Sequence, residues 1–191
     1  MRLSWSGAPD RMPEAEVAIR LAEYLTERPD FQGTVDVAID GASVSVGGVE
    51  VFDIRGYLRA YGWQAVQGTA VGRNDWTAEY TRDAAAMRIH SRSGVGDVEA
   101  LVGGRRLIAE CKKGPLVKKP GSPEYPLLTA AIGQALLFPA RPEDILVAAV
   151  PDTPTFQRIA ADWRNRPRLI ASGIQIALVS RRGPVTGLDL S

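Results

Sequence analysis

The sequence predicts an α/β protein, in which helices pack on a central β-sheet. An apolar hairpin runs from Gly96 to Lys112, in the middle of the chain. Apolar residues recur at helical spacing over residues 51–61 before it, and a buried strand (144–151), a helix (155–171) and a last strand (174–180) follow it. Strands that alternate with helices in this way are typical of the α/β class.

The hairpin brings three charged residues together. Gly103-Gly104 is a typical two-residue turn between two apolar runs, and a tight turn there places Asp97 directly opposite Glu110. Directly opposed residues share one face of the sheet, with Cβ atoms roughly 5 Å apart. Strand alternation returns Lys112 to the same face. A three-residue loop with a bulge is the alternative, and it would shift this register by one residue.

Two opposed carboxylates favour a bound cation. Like charges that face each other repel and destabilise the hairpin unless a positive charge lies between them. A hard divalent cation prefers oxygen ligands and suits this position. The other face of the hairpin is apolar and is expected to lie on the core; its residues are Val98, Ala100, Val102, Leu107, Ala109 and Cys111.

These residues resemble the signature of the PD-(D/E)XK nuclease superfamily, which is an acidic residue, a short hairpin and then acid-x-Lys. Gly96-Asp97 and Glu110-Cys111-Lys112 match its parts. Gly96 stands in place of the usual proline, as in many Holliday-junction resolvases and methyl-directed restriction enzymes. The resemblance covers roughly residues 47 to 180 and implies a restriction-endonuclease-like core, with a central mixed β-sheet flanked by helices.

Two further segments extend the resemblance. The helix over residues 51–61 looks like the first core helix of the family, which often begins with a glutamate, and Glu50 fits that glutamate. The stretch from Tyr125 to Phe138 is predicted to form the helix after the acid-x-Lys strand. Related nucleases often carry a glutamine on that helix, followed four residues later by an aromatic residue, and Gln134 fits this supporting role.

The resemblance implies a Mg²⁺-dependent nuclease, most simply a DNA endonuclease that acts in restriction, defence or repair. Asp97, Glu110 and the main-chain carbonyl of Cys111 would hold Mg²⁺, with Mn²⁺ as an alternative ion. Glu50 would reach the metal directly or through water. Lys112 would orient the attacking water or stabilise the transition-state anion. The substrate would be nucleic acid, with DNA favoured over RNA.

A second interpretation stays open, in which the chain keeps the nuclease fold but only binds nucleic acid or a protein partner. Asp97 or Glu110 taken alone is typical of a surface carboxylate that flanks a hairpin. Glu50 alone is equally explained as an acid in the first turn of a helix, where the helix dipole favours it. Carboxylate-dependent metal binding separates the two functions.

The lysines of the chain fall in one short window. All four, against nineteen arginines, lie between Lys112 and Lys119. Lys118 and Lys119 are hypothesised to contact substrate phosphates beside the scissile bond, whereas a solvated charged loop is the alternative. Prolines 115, 120, 123 and 126 exclude a continuous helix and predict a loop between Lys113 and Pro126.

The domain prediction divides the chain at residue 46. Residues 1–46 are expected to form an extension, with an amphipathic helix from Pro13 to Arg28 and a second hairpin from Thr34 to Val46 around Asp40-Gly41. Residues 47–191 are expected to form the nuclease-like core. An isolated hairpin is marginal in water, so the second hairpin should cover another part of the protein or a second subunit.

Composition sets the outer bounds. The chain has 191 residues, of which 45% are hydrophobic and 24% charged, as is ordinary for a globular protein. It carries no apolar run that could span a membrane and no signal-peptide core, and its one cysteine agrees with a reducing cytoplasm.

One histidine excludes His-rich zinc sites. The net charge of +1 leaves any nucleic-acid footprint local. Sequence specificity and a homodimer stay open.

Overall fold

A computed structural model of the protein describes residues 9–40, 45–46, 49–50, 52–70, 72, 74–92, 94–117 and 123–190, with the backbone alone described at 45–46 and 49–50. The helices are α1 (Glu14–Thr26), α2 (Ile54–Ala60), α3 (Glu124–Ala135), α4 (Pro154–Trp163) and α5 (Pro167–Ser172). The strands are β1 (Arg11–Met12), β2 (Phe31–Ala38), β3 (Ser45–Val46), β4 (Val49–Glu50), β5 (Gln64–Ala65), β6 (Ala78–Arg82), β7 (Ala85–His90), β8 (Val98–Val102), β9 (Arg105–Cys111), β10 (Gly114–Pro115), β11 (Ile145–Pro151), β12 (Gln175–Val179) and β13 (Val185–Thr186).

A mixed sheet forms the centre of the molecule, in the order β13-β12-β11-β9-β8-β2-β7-β6-β5. Strands β9, β11 and β12 are parallel to one another, β2 is parallel to β7, and β8 is antiparallel to both β2 and β9. Two short pairs, β1–β10 and β3–β4, lie outside this sheet. The predicted α/β class, with a central mixed sheet and flanking helices, is confirmed.

The β8–β9 hairpin has the predicted register. Gly103 and Gly104 have φ angles of +57° and +76°, the left-handed backbone that a tight two-residue turn requires and that glycine adopts without strain. The ladder runs from Val102 opposite Arg105 to Val98 opposite Ala109. The apolar face of the hairpin is buried, as predicted, and joins the main hydrophobic cluster.

Helix α1 is the centre of that cluster, and not part of a separate extension. It packs on β2, β8, β9 and β11, and Val17, Ile19, Leu21 and Leu25 are fully buried. A helix that is buried on nearly every side belongs to a core. Residues 9–38 therefore share one core with the later strands, and residue 46 marks no break in it.

The predicted hairpin from Thr34 to Val46 is wrong. Strand β2 pairs with β7 on one side and with β8 on the other, so that Val35 lies opposite Met87. In the sheet, this eight-residue strand pairs with two long strands, and a helix covers its apolar face. An isolated hairpin has only marginal stability in water. Residues 41–44, which include the proposed turn at Gly41, lie outside the described part of the chain.

The helix predicted over residues 51–61 is present as α2 (Ile54–Ala60). In chain order, α1, β2, β8, β9, α3, β11, α4 and β12 form a series of a helix, three strands, a helix, a strand, a helix and a strand. Helix α2 lies in the segment between β2 and β8, and β5, from the same segment, lies at the far edge of the sheet. The predicted strands over 144–151 and 174–180 are confirmed, as is the helix over 125–138. The helix predicted over 155–171 is two helices, because Pro167 begins a new one.

No helix among the described residues has both the length and the apolar character needed to cross a membrane.

A buried carboxylate ties the segment between β2 and β8 to α1. Glu23 accepts hydrogen bonds from the Tyr57 hydroxyl, from Trp63 Nε1 at 2.9 Å and from Arg82 Nη1 at 3.2 Å. Glu23, Tyr57 and Trp63 are all buried. Donors from α2, from the segment after it and from β6 therefore converge on one side chain of α1.

We expect Glu23→Ala to lower the free energy of unfolding by about 3–5 kcal/mol, since it leaves a buried hydroxyl and a buried indole N–H without their acceptor. In a chain of this size that corresponds to a fall in Tm of roughly 6–20 °C. Glu27 is the matched control, because it also pairs with Arg82 but its side chain is 65% exposed. Glu27→Ala should remove at most about 1 kcal/mol. Equal losses in thermal unfolding followed by circular dichroism would contradict this role of Glu23.

Candidate active site

The candidate site lies at the end of the sheet where the carboxyl termini of its parallel strands meet. These strands run in one direction and are β2, β7, β9, β11 and β12. A cavity of about 750 Å³ opens here, and Asp97, Glu110, Gln134 and Phe138 are among the residues that line it. Side chains at the carboxyl ends of parallel strands commonly form ligand sites.

Asp97 and Glu110 both line this cavity, just beyond the point where the β8–β9 ladder ends with Val98 opposite Ala109. Asp97 directly precedes β8, and its main-chain N–H donates to the carbonyl of Ala109 at 2.8 Å. Its carboxylate Oδ2 accepts a hydrogen bond from the main-chain N–H of Cys111 at 2.7 Å. Glu110 is in β9 and only 7% exposed. Two acidic side chains from adjacent strands are therefore held together in a largely buried position.

Lys112 reaches the same place. Its Nζ lies 2.5 Å from Glu110 Oε1 and 3.8 Å from Glu14 Oε2. Lys113 is exposed, in agreement with the strand alternation that separates it from Lys112. The three residues that the sequence selected are brought together by the fold, and Lys112 lies between two acids.

Glu14 is the member of the site that the sequence reasoning missed. It occupies the first turn of α1, and the pairing of β1 with β10 holds this end of the helix beside the end of β9. The main-chain N–H of Lys113 acts on its carboxylate and lowers the pKa of Glu14, against the larger effect of burial. The available signal was a glutamate at the start of the earlier amphipathic helix, which the sequence analysis had placed outside the core.

The environment opposes ionisation of Asp97 and Glu14. Burial, reinforced by the charge of Glu110, raises the pKa of Asp97 to about 7, although the hydrogen bond from Cys111 acts in the other direction. Burial also raises the pKa of Glu14, which the charge of Lys112 partly offsets. Burial alone would lower the pKa of Lys112, but its hydrogen bond to Glu110 and the charges of Glu14 and Glu110 outweigh that effect and raise it. The site therefore gains from additional positive charge.

Gly96 has no room for a side chain. A Cβ built there would lie 2.8 Å from the carbonyl oxygen of Ala109 and 2.8 Å from Cγ2 of Ile108, with a ring carbon of Phe138 at 3.2 Å. Glycine before Asp97 thus permits the close packing of the segment before β8 on β9 and α3. Phe138 is held over this segment, whereas Gln134 is exposed at the mouth of the cavity.

Cys111 contributes its backbone and not its sulfur. Its side chain is fully buried in the main hydrophobic cluster, and burial raises the pKa of the thiol well above its ordinary value. A thiol that stays protonated is a poor metal ligand. The predicted use of the main-chain carbonyl agrees with this position and stays a prediction.

The remaining predicted residues are not described. The backbone of Glu50 lies in β4, but its side chain is outside the described atoms, and Lys118 and Lys119 lie outside the described residues. The segment from Lys113 to Pro126 contains the short strand β10 before the gap and the start of α3 after it. Among the described residues, no group of three or more His, Cys, Asp or Glu side chains is arranged to hold a metal ion.

In a comparison with known proteins, no protein-family model, no curated protein and no solved structure matches this chain.

The raised pKa of Asp97 predicts a pH dependence of stability. Between about pH 4 and pH 7 the folded protein binds a proton that the unfolded chain has released, so stability without metal falls as pH rises through this window. Asp97→Asn keeps an acceptor for Cys111 and removes the charge. We expect the variant to unfold at a higher urea concentration than the parent at pH 8 and at nearly the same concentration at pH 4.

The difference should grow by at most about 1.4 kcal/mol for each pH unit of the window. Urea midpoints measured in EDTA at several pH values test this directly. A variant that is less stable than the parent at pH 8 would show that the Asp97 carboxylate stabilises the fold.

Proposed function

We propose that the protein is a metal-dependent nuclease that hydrolyses phosphodiester bonds, with DNA as its substrate. One observation carries the proposal: Asp97 and Glu110 line one cavity at the end of the sheet, and Lys112 Nζ lies 2.5 Å from Glu110 Oε1. Two acids and a lysine in this arrangement offer ligands for a cation and a positive group for a phosphate. The single, buried cysteine agrees with action in the reducing cytoplasm.

The oxygen donors at the site fit Mg²⁺, with Mn²⁺ as the alternative. Asp97, Glu110 and the Cys111 carbonyl would hold the ion, since Mg²⁺ keeps several waters and needs only one or two carboxylates besides the substrate phosphate. The burial and mutual repulsion that raise the pKa of Asp97 mean that a bound cation would relieve an unfavourable charge distribution. When bound, the ion would lower the pKa of a water and neutralise charge on the phosphate oxygens.

The side chains of the protein have separate tasks in this reaction. Lys112 would exchange its contact with Glu110 for the attacking water or a phosphate oxygen, where a fixed positive charge stabilises the developing anion. Glu14, 3.8 Å from Lys112, would hold that ammonium in place or bind the ion through water. Gln134, exposed at the mouth of the cavity, would contact the substrate. No covalent intermediate is required.

The order of elements supports the resemblance to PD-(D/E)XK nucleases. Asp97 directly precedes β8, Glu110 is in β9 and Lys112 directly follows it. Strands β8 and β9 are the second and third strands of a series that begins with α1 and continues through α3 to β11, and the resemblance implies this order of a helix, three strands, a helix and a strand. We propose that α1 is the first core helix and that Glu14 takes the place first assigned to Glu50. A homodimer that would cut both strands of a duplex remains a prediction.

Two observations favour the alternative of an inactive module that binds nucleic acid or a protein. Lys112 already neutralises Glu110, and the described side chains form no ready metal cluster. In such a module the ion pair would be purely structural. Metal binding and cleavage therefore have to be measured separately.

We expect Asp97→Asn and Glu110→Gln each to reduce Mg²⁺-dependent cleavage of DNA by more than about 100-fold, and Lys112→Ala to do the same, because each loses a group that acts on the transition state. Lys113→Ala is the matched control and should keep most of the activity, since its side chain is exposed on the other side of the strand end. Supercoiled, linear, branched and single-stranded substrates with Mg²⁺, Mn²⁺ or EDTA provide the assay. Wild-type rates in Asp97→Asn would end the proposal.

Glu14 and Glu50 compete for one role, and a pair of variants decides between them. Glu14→Gln should weaken Mn²⁺ binding by roughly 10-fold or more, the loss typical of a group that supports a metal site, whereas Glu50→Gln should leave it unchanged. Isothermal titration calorimetry with Mn²⁺ measures both without reference to cleavage. The reverse result would restore Glu50 as the third acid.

A further inference from the structure

A second cavity, of about 880 Å³, lies along α1 and shares no lining residue with the candidate active site. Five arginines and three acidic residues line it, so its walls carry a net charge of +2. The arginines are Arg20, Arg59, Arg82, Arg181 and Arg182. We call this cavity the arginine groove. It is a local basic surface in a chain whose net charge is only +1.

Three of the arginines form ion pairs with acidic residues in α1 or directly after it. Arg20 and Arg181 both pair with the buried Glu16, at 2.9 and 2.5 Å, and Arg82 pairs with Glu23 and Glu27. These pairs shape the wall and leave little charge for a ligand. The ability of the groove to attract an anion therefore depends on the other two arginines.

Arg59 and Arg182 are those two. Both are exposed, and neither guanidinium forms an ion pair or a hydrogen bond within the described part of the chain. Arg59 is in the last turn of α2 and Arg182 follows β12, so the fold brings them to one cavity from distant parts of the chain. A guanidinium offers a planar set of donors that matches phosphate geometry.

An aromatic ring lies beside them. Tyr61 lines the same groove and is 38% exposed. It stacks on the buried Tyr57 with ring centroids 4.5 Å apart, and the guanidinium of Arg20 lies 5.5 Å from its centroid. The ring is thus held in one orientation with part of its surface open to the groove.

We propose that the arginine groove binds a single-stranded nucleic-acid segment, with phosphates on Arg59 and Arg182 and a base against Tyr61. A basic groove with an aromatic platform is the usual means of binding unpaired strands, because every base has a face that can stack. Bases in a duplex are stacked on one another and cannot reach such a ring. The proposal deepens the nuclease function. Only the statement that the bound strand is part of the substrate rests on that function.

The geometry of α1 connects the groove to the candidate active site. Arg20 is six residues from Glu14, which corresponds to about 9 Å along the helix. The groove then continues to Glu27, a further seven residues or about 10 Å. Arg20 is therefore the groove residue of α1 that lies nearest along the helix to Glu14.

The test is binding of a fluorescent single-stranded oligonucleotide to the full chain in EDTA, which prevents metal-dependent cleavage. Arg59→Ala combined with Arg182→Ala should weaken binding at least 10-fold and flatten the salt dependence by about 1.4 units, because each phosphate contact on a single strand contributes roughly 0.7. Tyr61→Ala should weaken binding at least about fivefold with no change in slope, and Tyr61→Phe should restore the affinity.

The control is Arg158→Ala combined with Arg168→Ala, which removes the same charge from exposed positions on α4 and α5, outside the groove. It should leave affinity and slope nearly unchanged. Equal losses of affinity in the two double variants would show that binding depends only on the overall charge of the protein, and would overturn the proposal. A duplex that binds as tightly as the single strand, or pyrophosphate that displaces the strand at equal concentration, would overturn it as well.

Cleavage in Mg²⁺ separates this proposal from the nuclease function. If the parent cleaves DNA and the groove variants bind and cleave like the parent, the groove proposal fails and the nuclease stands. If the parent binds single strands through the groove but never cleaves, the nuclease fails and the groove stands.

Discussion

The closeness of Asp97 and Glu110 at the end of the β8–β9 hairpin is the constraint on which the candidate site depends. Asp97 accepts a hydrogen bond from the main-chain N–H of Cys111, the residue after Glu110, so the backbone keeps the two carboxylates close together. Burial makes their repulsion stronger than it would be in water. The surrounding groups respond to this: Cys111 donates its N–H to one acid, and Lys112 approaches the other.

The negative charge of Asp97 and Glu110 is unfavourable for stability, and the same charge would allow the site to bind a cation. An acid whose pKa is raised by burial and by a neighbouring carboxylate, as Asp97 is, contributes little to the stability of the fold without a cation and is a good ligand for one. Lys112 supplies a partial substitute from within the chain. The balance between the lysine and an external cation is therefore the point at which an active nuclease and an inactive module would differ.

Helix α1 joins stability to function. Its apolar residues fill the core beneath the sheet, its first turn brings Glu14 to the site, and its polar side organises the arginine groove. The acidic pocket and the basic groove lie along one helix in a chain with almost no net charge. Such a separation of charge can attract a polyanion to one place and hold a cation at another.

The sequence by itself determined the parts of the structure that depend on near neighbours. The glycine turn, the register of β8 on β9, the burial of one hairpin face and the meeting of Asp97, Glu110 and Lys112 all follow from residues within one short segment, because turn type and strand alternation are local properties. The later strands β11 and β12 and helix α3 were likewise recognised from their own apolar patterns.

Only the tertiary structure decided which segments are central. Strand β2 finds partners more than fifty residues away, so its local hairpin signal was misleading, and α1 was placed outside a core that it in fact fills. Glu14 joins Lys112 across nearly a hundred residues, through the pairing of β1 with β10. Pattern within a segment shows which face is apolar but not which partner covers it, because that choice depends on the packing of the whole chain.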